Sequence, residues 1–183
     1  MPAVEAARAP SATWSLPTLV ETRPRTGYHH PAGKAELAEI LRFFGEEYVY
    51  GLRAVELRQA DPGQTGLQLG RLVVPGQIVL YEQRPSPWHL PGHLGEDEAR
   101  QLQAAGALLE PLEASTLVEW PGDTLRDFMR IDVLMHEVGH HLLQQHKGKR
   151  LARVARTRDH EAFADTLARR CRAIYQAHRE QTE

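Results

Sequence analysis

A single cysteine, Cys171, stands in the 183-residue chain. No disulfide can form within it, and a reducing compartment is the expectation. Long apolar runs are missing too. No stretch approaches the roughly 18 residues needed to cross a bilayer, which excludes a membrane-spanning helix. The N-terminal MPAVEAARAPSATWSLP has no uninterrupted apolar stretch of signal-peptide length. Arg8 and the alanine and serine content suit an organellar presequence, but Glu5 and the early prolines speak against one. The expected location is cytoplasmic, with no membrane partner. Excess charge of one sign is also lacking. A net charge of −2 excludes a chain built as a whole to coat nucleic acid or an anionic membrane. There is no internal repeat and no low-complexity tract.

What is present suits one globular domain. Hydrophobic residues make up 42% and charged residues 25%, enough apolar material at this length for a sizeable core. Residues 1–33 carry Pro2, Pro10, Pro17, Pro24 and Pro31 without helical periodicity. They read as an N-terminal tail or arm, with Thr18–Glu21 as a short strand. The domain proper is expected over 34–183. Leu37, Ile40, Leu41 and Phe44 recur at helical spacing. RAVELRQ alternates as a strand, and LGRLVVPGQIVLYEQ reads as two strands joined at Pro75-Gly76. RPSPWHLPGHLG is rich in proline and glycine and reads as a loop. GEDEARQLQAAGALLE reads as a helix whose acidic first turn suits the positive end of its dipole. STLVEW (115–120) is a short strand. Asp123 then stands as an N-cap for a helix to about Gln145, and a last helix spans about Thr157 to Ala177. Strands come first and helices cluster late. The expected class is α+β, with helices on one face of a small, mostly antiparallel sheet.

The segment HEVGHHLLQQH (136–146) holds the chemistry. His136 and His140 are four apart, so on a helix they share one face and can reach a single ion. Glu137 beside them is placed to take a proton from an attacking water. An H-E-x-x-H pattern alone arises often by chance on a helix surface. Here Ile131, Val133, Leu134, Met135, Val138, Leu142 and Leu143 make the helix apolar and buried. Buried histidines and glutamates need partners. Gly139 inside the motif costs about 1 kcal/mol of helix propensity, which makes sense if something approaches the helix closely.

Two histidines supply only two ligands. The spacing of His136, His140 and His146 is that of metzincins, H-E-x-x-H-x-x-G-x-x-H. In those the glycine ends the helix. Leu143 stands at that position here, within a run of good helix formers. On an unbroken helix His146 lies about 9 Å along and about 120° round from His140. A methionine turn is lacking as well, since the methionines are Met1, Met129 and Met135. His141 points away from His140. His141 and His146 read as surface or cleft residues. The better third ligand is Glu161, in RDHEAFADTLARRC. It opens a helix whose expected core face is Phe163, Leu167, Cys171 and Ile174. A glutamate completes a two-histidine, one-carboxylate zinc site with an open position. Asp165, one turn on, can accept the free N–H of a ligand histidine. Taken alone, Glu161 and Asp165 are ordinary acids at a helix start; the motif upstream gives them their meaning.

H-E-x-x-H followed about twenty residues later by E-x-x-x-D is the gluzincin pattern of thermolysin-like peptidases. VLMHEVGHHLL and HEAFADTLA, within 131–168, resemble the ImmA/IrrE family of minimal gluzincins. The resemblance implies a zincin-like fold, Zn2+ held by His136, His140 and Glu161, and Glu137 as general base. It implies hydrolysis of a peptide bond in a protein or peptide substrate, often a repressor-like regulator. It places the substrate-binding sheet edge at STLVEW. An oxyanion donor is still needed, and Tyr175, His141, His146 and Arg158 are the candidates. His89 and His93 could line the cleft.

KGKRLARVARTR (147–158) holds six basic residues and no acid, leaving the rest of the chain near −8. It reads as a solvated connector between two helices, or as a contact for an acidic or nucleic-acid partner. The second option supports a rival from another class: a regulatory or binding protein with a purely structural zinc. Glu137 argues against that rival, because a structural site needs no base.

Overall fold

The structure, a computed structural model, describes residues 14–63, 67–146 and 158–182. The basic connector 147–157 lies outside them. The fold is mixed α+β, with two small sheets. Strand β1 (Thr18–Glu21) precedes helix α1 (Lys34–Phe44) and the single turn α2 (Glu46–Val49). Strands β2 (Ala54–Arg58), β3 (Gly70–Val73) and β4 (Gln77–Tyr81) follow, and with β1 they form a sheet in the order β1-β2-β4-β3. Strand β5 (Trp88–Pro91), helix α3 (Glu96–Ala104) and strands β6 (Leu108–Pro111) and β7 (Ser115–Glu119) come next. The second sheet has the order β5-β7-β6 and is antiparallel throughout.

The first sheet differs from the mostly antiparallel one expected. β1 runs parallel to β2 and β2 parallel to β4, while only β3 and β4 form an antiparallel pair. The reason lies in the connections. α1 and α2 carry the chain from β1 back to the start of β2, as a parallel crossover requires. The proline-rich arm is therefore built into the fold from Thr18 onward. Thr18 N–H donates to Arg53 O at 2.9 Å, and His29 bridges Gln83. Arg25 pairs with the buried Glu82.

Two strands sit where other structure was expected. Trp88–Pro91 forms β5 inside the supposed loop, and Leu108–Pro111 forms β6 at the end of the supposed helix. Gly106, at φ 97°, ends α3 early and turns the chain into β6. Ser115–Glu119 is consequently the central strand of its sheet, paired on both sides. It offers no free edge to a substrate.

After β7 the chain enters a nearly continuous helical rod. It comprises α4 (Thr124–Asp127), a π-helical segment (Phe128–Val133) and α5 (Leu134–His146). Asp123 does not cap the rod with its side chain; its carboxylate pairs with Arg126 at 2.7 Å. All six residues of the π segment are buried. Trp120 stacks on Phe128 at 4.9 Å between ring centroids, and Trp88 packs edge-on against Trp120. These aromatics join the second sheet to the rod. On another side α5 packs against β3 and β4.

The last helix, α6 (Arg158–Thr182), makes the most extensive helix–helix contact of the fold, with α5. Its buried face is Ala164, Ala168, Cys171 and Tyr175; of the expected Phe163, Leu167, Cys171 and Ile174, Cys171 is buried and Leu167 partly so, while the other two are not. Phe163 and Ile174 are each 40% exposed. At the closest approach, opposite Gly139, the α6 residue is small because the two backbones come very close. A β-carbon added to Gly139 would stand 2.8 Å from Ala164 Cα and 3.2 Å from Ala164 Cβ. Among the described residues, no helix is long and apolar enough to cross a membrane.

Candidate metal centre

The close crossing at Gly139 and Ala164 brings α6 across the face of α5 that carries the motif histidines. His136 and His140 are one turn apart, and their Nε2 atoms lie 3.1 Å from each other. Glu161 Oε2 is 3.3 Å from His136 Nε2 and 3.4 Å from His140 Nε2. The three donor atoms thus form a nearly equilateral triangle. Ligands held at about 2.0–2.1 Å on a tetrahedral ion are separated by about 3.3–3.4 Å. The donor set therefore fits zinc in both chemistry and spacing.

Surroundings agree with that use. His140 is buried, and the His136 side chain is 19% exposed, whereas Glu161 keeps 40% of its side chain in solvent. The site is lined by protein on the α5 side and open on the other. His136 Nδ1 lies 2.9 Å from Asp165 Oδ1. The contact has the length of a hydrogen bond but not its alignment, and the ring nitrogen has no better partner. Asp165 thus stands behind the ring on the side away from the donor triangle, where an acid can orient a ligand histidine. Glu137, the proposed base, is buried beside His136 at 3% exposure.

The remaining candidates separate. His141 lines a pocket with Tyr50, Pro75, Gly76 and Gln144, and not the donor triangle. It is 2% exposed, and its Nε2 lies 2.9 Å from Tyr50 O, so its ring N–H is spent on that carbonyl. Burial lowers its pKa below the ordinary imidazole value, and the Tyr50 carbonyl only partly offsets this. Tyr175 is also removed from the site. It follows Glu161 by fourteen residues of one helix, about 21 Å along the axis, and its hydroxyl donates to Glu39 at 2.7 Å. Arg158, the first residue of α6, stands one turn before Glu161 and is exposed. His146 ends α5, which continues unbroken through His140; its side chain lies outside the described residues. His89 and His93 are exposed, His89 on β5 and His93 just beyond it, in the region of the second sheet.

Three features of the site escaped the residue-by-residue reading. Ala164 is the surface that Gly139 makes room for; the glycine was a signal, but its partner was not. Asp132 continues the line of His136 and His140 at the same four-residue spacing and pairs with Arg172. β3 is an edge strand lying against α5: among the described residues it pairs with β4 alone. Comparison with protein-family models, with curated proteins and with solved structures returned no match.

Proposed function

We propose that the chain is a zinc-dependent peptidase of the gluzincin kind, zincin-like in fold and akin to the ImmA/IrrE family. The observation that carries this reading is the donor triangle. Two histidine nitrogens and one carboxylate oxygen, from two helices, converge at the separations a tetrahedral ion requires. When bound, zinc supplies Lewis acidity for a scissile carbonyl and for the attacking water. The chain's own residues do the rest. His136 and His140 present their Nε2 atoms, and Asp165 steadies the first ring from behind. Glu161 adds the anionic ligand. Glu137 accepts the proton of the attacking water and returns it to the leaving amine.

A substrate in extended form needs a sheet edge with unpaired backbone groups. β3 replaces Ser115–Trp120 in this role, because it is the edge strand packed on the helix that bears the motif. Arg158 remains as an exposed cation one turn before Glu161 and a candidate for oxyanion stabilisation.

The test is hydrolysis of unfolded protein by metal-loaded wild type and by E137Q, with bound zinc measured in both. Glu137→Gln removes the proton acceptor and no ligand. Cleavage by wild type alone, at equal zinc content, is the expected result. Equal cleavage by both proteins would refute the mechanism.

A further inference from the structure

Helices α5 and α6 run antiparallel, and three polar pairs cross between α6 and the rod. His140 meets Glu161, and His136 meets Asp165. One turn further toward the start of the rod, Asp132 meets Arg172. The Arg172 Nε lies 2.7 and 2.8 Å from the two Asp132 oxygens, and its Nη2 reaches Oδ2 as well. Both side chains are largely buried, at 11% and 13% exposure. Asp132 lies in the π segment, whose other charged side chain, Arg130, is anchored by Asp127 at 2.8 Å. Arg172 follows Glu161 by eleven residues, about 16 Å along the helix, so the pair does not touch the donor atoms.

The crossing near the donors sets the distance between the helices: Gly139 faces Ala164, and the Leu167 side chain lies beside them. These apolar contacts have no preferred direction along the axis. A slide of one residue is about 1.5 Å, enough to take Glu161 out of a triangle whose sides are 3.1–3.4 Å. A guanidinium fork on a carboxylate resists such a slide, because its bonds depend on direction as well as distance. Buried ion pairs of this kind often contribute more to a single arrangement than to stability.

We infer that the Asp132–Arg172 pair is a positioning device for the metal centre, fixing the axial register of α6 on α5 so that Glu161 meets His136 and His140. This rests on the zinc reading proposed above. Arg172 stands about 16 Å along the helix from Glu161, so R172K, which keeps the charge, reads helix placement without a change of charge near the donors.

The experiment measures zinc affinity by competition with a chromogenic chelator, and melting temperature in metal-free buffer, for wild type, D132N, R172K and the apolar pair D132L/R172M. A merely structural role makes affinity follow melting temperature. A positioning role separates them. The apolar pair should melt near wild type, since packing replaces the buried charges. Its zinc affinity should still fall about 10–100-fold, as for other residues that orient ligands. D132N, which leaves the Arg172 charge buried without its partner, should melt lower than wild type, R172K should melt closer to it, and both should lose several-fold in affinity. Wild-type affinity in folded D132N and R172K overturns the inference, whether or not the apolar pair folds. Absence of zinc from the wild-type protein overturns the site reading itself, and the positioning role falls with it. The two failures are thus told apart by the wild-type measurement.

Discussion

Replacing Gly139 with alanine perturbs the contact on which the site's geometry depends. The new methyl would stand 2.8 Å from Ala164 Cα and 3.2 Å from Ala164 Cβ. Carbon atoms prefer about 3.5–4.0 Å, so α6 must retreat by roughly 1 Å, because the atoms met are backbone and a short side chain that cannot swing aside. Overpacking of this sort costs about 1–3 kcal/mol. The helix regains about 1 kcal/mol from the better propensity of alanine. The net loss of stability is therefore small, about 0–2 kcal/mol. Metal binding should suffer more. Glu161 stands one turn before Ala164 on the same helix and moves with it, while His136 and His140 stay on α5. The assay pairs thermal denaturation in chelator with zinc titration. G139A should remain folded and lose much of its zinc affinity, and A164G added to it should recover little of that loss, because the tightest contact is with the Ala164 Cα, which glycine keeps. A G139A protein with wild-type zinc affinity would show that the close crossing does not set the donor triangle.

Asp165→Ala should weaken zinc binding about 10–100-fold without emptying the site at saturating metal, since it removes the group behind His136 and no ligand; a competition titration matching wild type would contradict this. Glu82 gives a pH prediction. Burial alone would raise its carboxyl, but the Arg25 and Ala60 N–H groups and the Arg25 guanidinium outweigh that and hold it below the ordinary value. A lowered folded pKa means its stabilisation is fully present above about pH 4.3 and is lost as pH falls through the folded value. The stability gap between wild type and E82Q, from urea melts, should shrink below about pH 4; a gap independent of pH would refute it. Cys171 is fully buried, and burial pushes its thiol up to about 12. Thiol reagents at neutral pH should label it only after denaturation, and rapid labelling of native protein would contradict its placement.

The motif half of the site was legible because helical geometry is local. Four-residue spacing alone puts His136 with His140 and Glu161 with Asp165, and an apolar flank marks the first helix as buried. The pairing of the two helices depends on tertiary contact. Gly139 hinted at a close neighbour, but the composition of α6 pointed to the wrong face. Phe163 and Ile174 looked like core by size, whereas the crossing demands Ala164 and Ala168. The sheet was harder. Its parallel strands arise from the path of the chain through α1 and α2, which alternation of apolar residues does not encode. β5 was hidden by the prolines that flank it, and β6 by helix-forming alanines and leucines in the run before it. The expected edge at Ser115–Glu119 failed with them, because a strand is an edge only by virtue of its neighbours. Tyr175 had suitable chemistry, but distance along α6 turned it to Glu39, and His141 bonds Tyr50 O at the wall of a separate pocket.

The central claim is that His136, His140 and Glu161 together hold one zinc ion. Its most direct test is zinc content, by elemental analysis after dialysis against a weak chelator, of wild type, E161A and H146A. The account predicts about one zinc per chain in wild type and in H146A, and a strong loss in E161A, which lacks one of three protein ligands. Zinc retained in full by E161A and lost from H146A would contradict it, because the ion would then sit at the end of α5 and not at its crossing with α6.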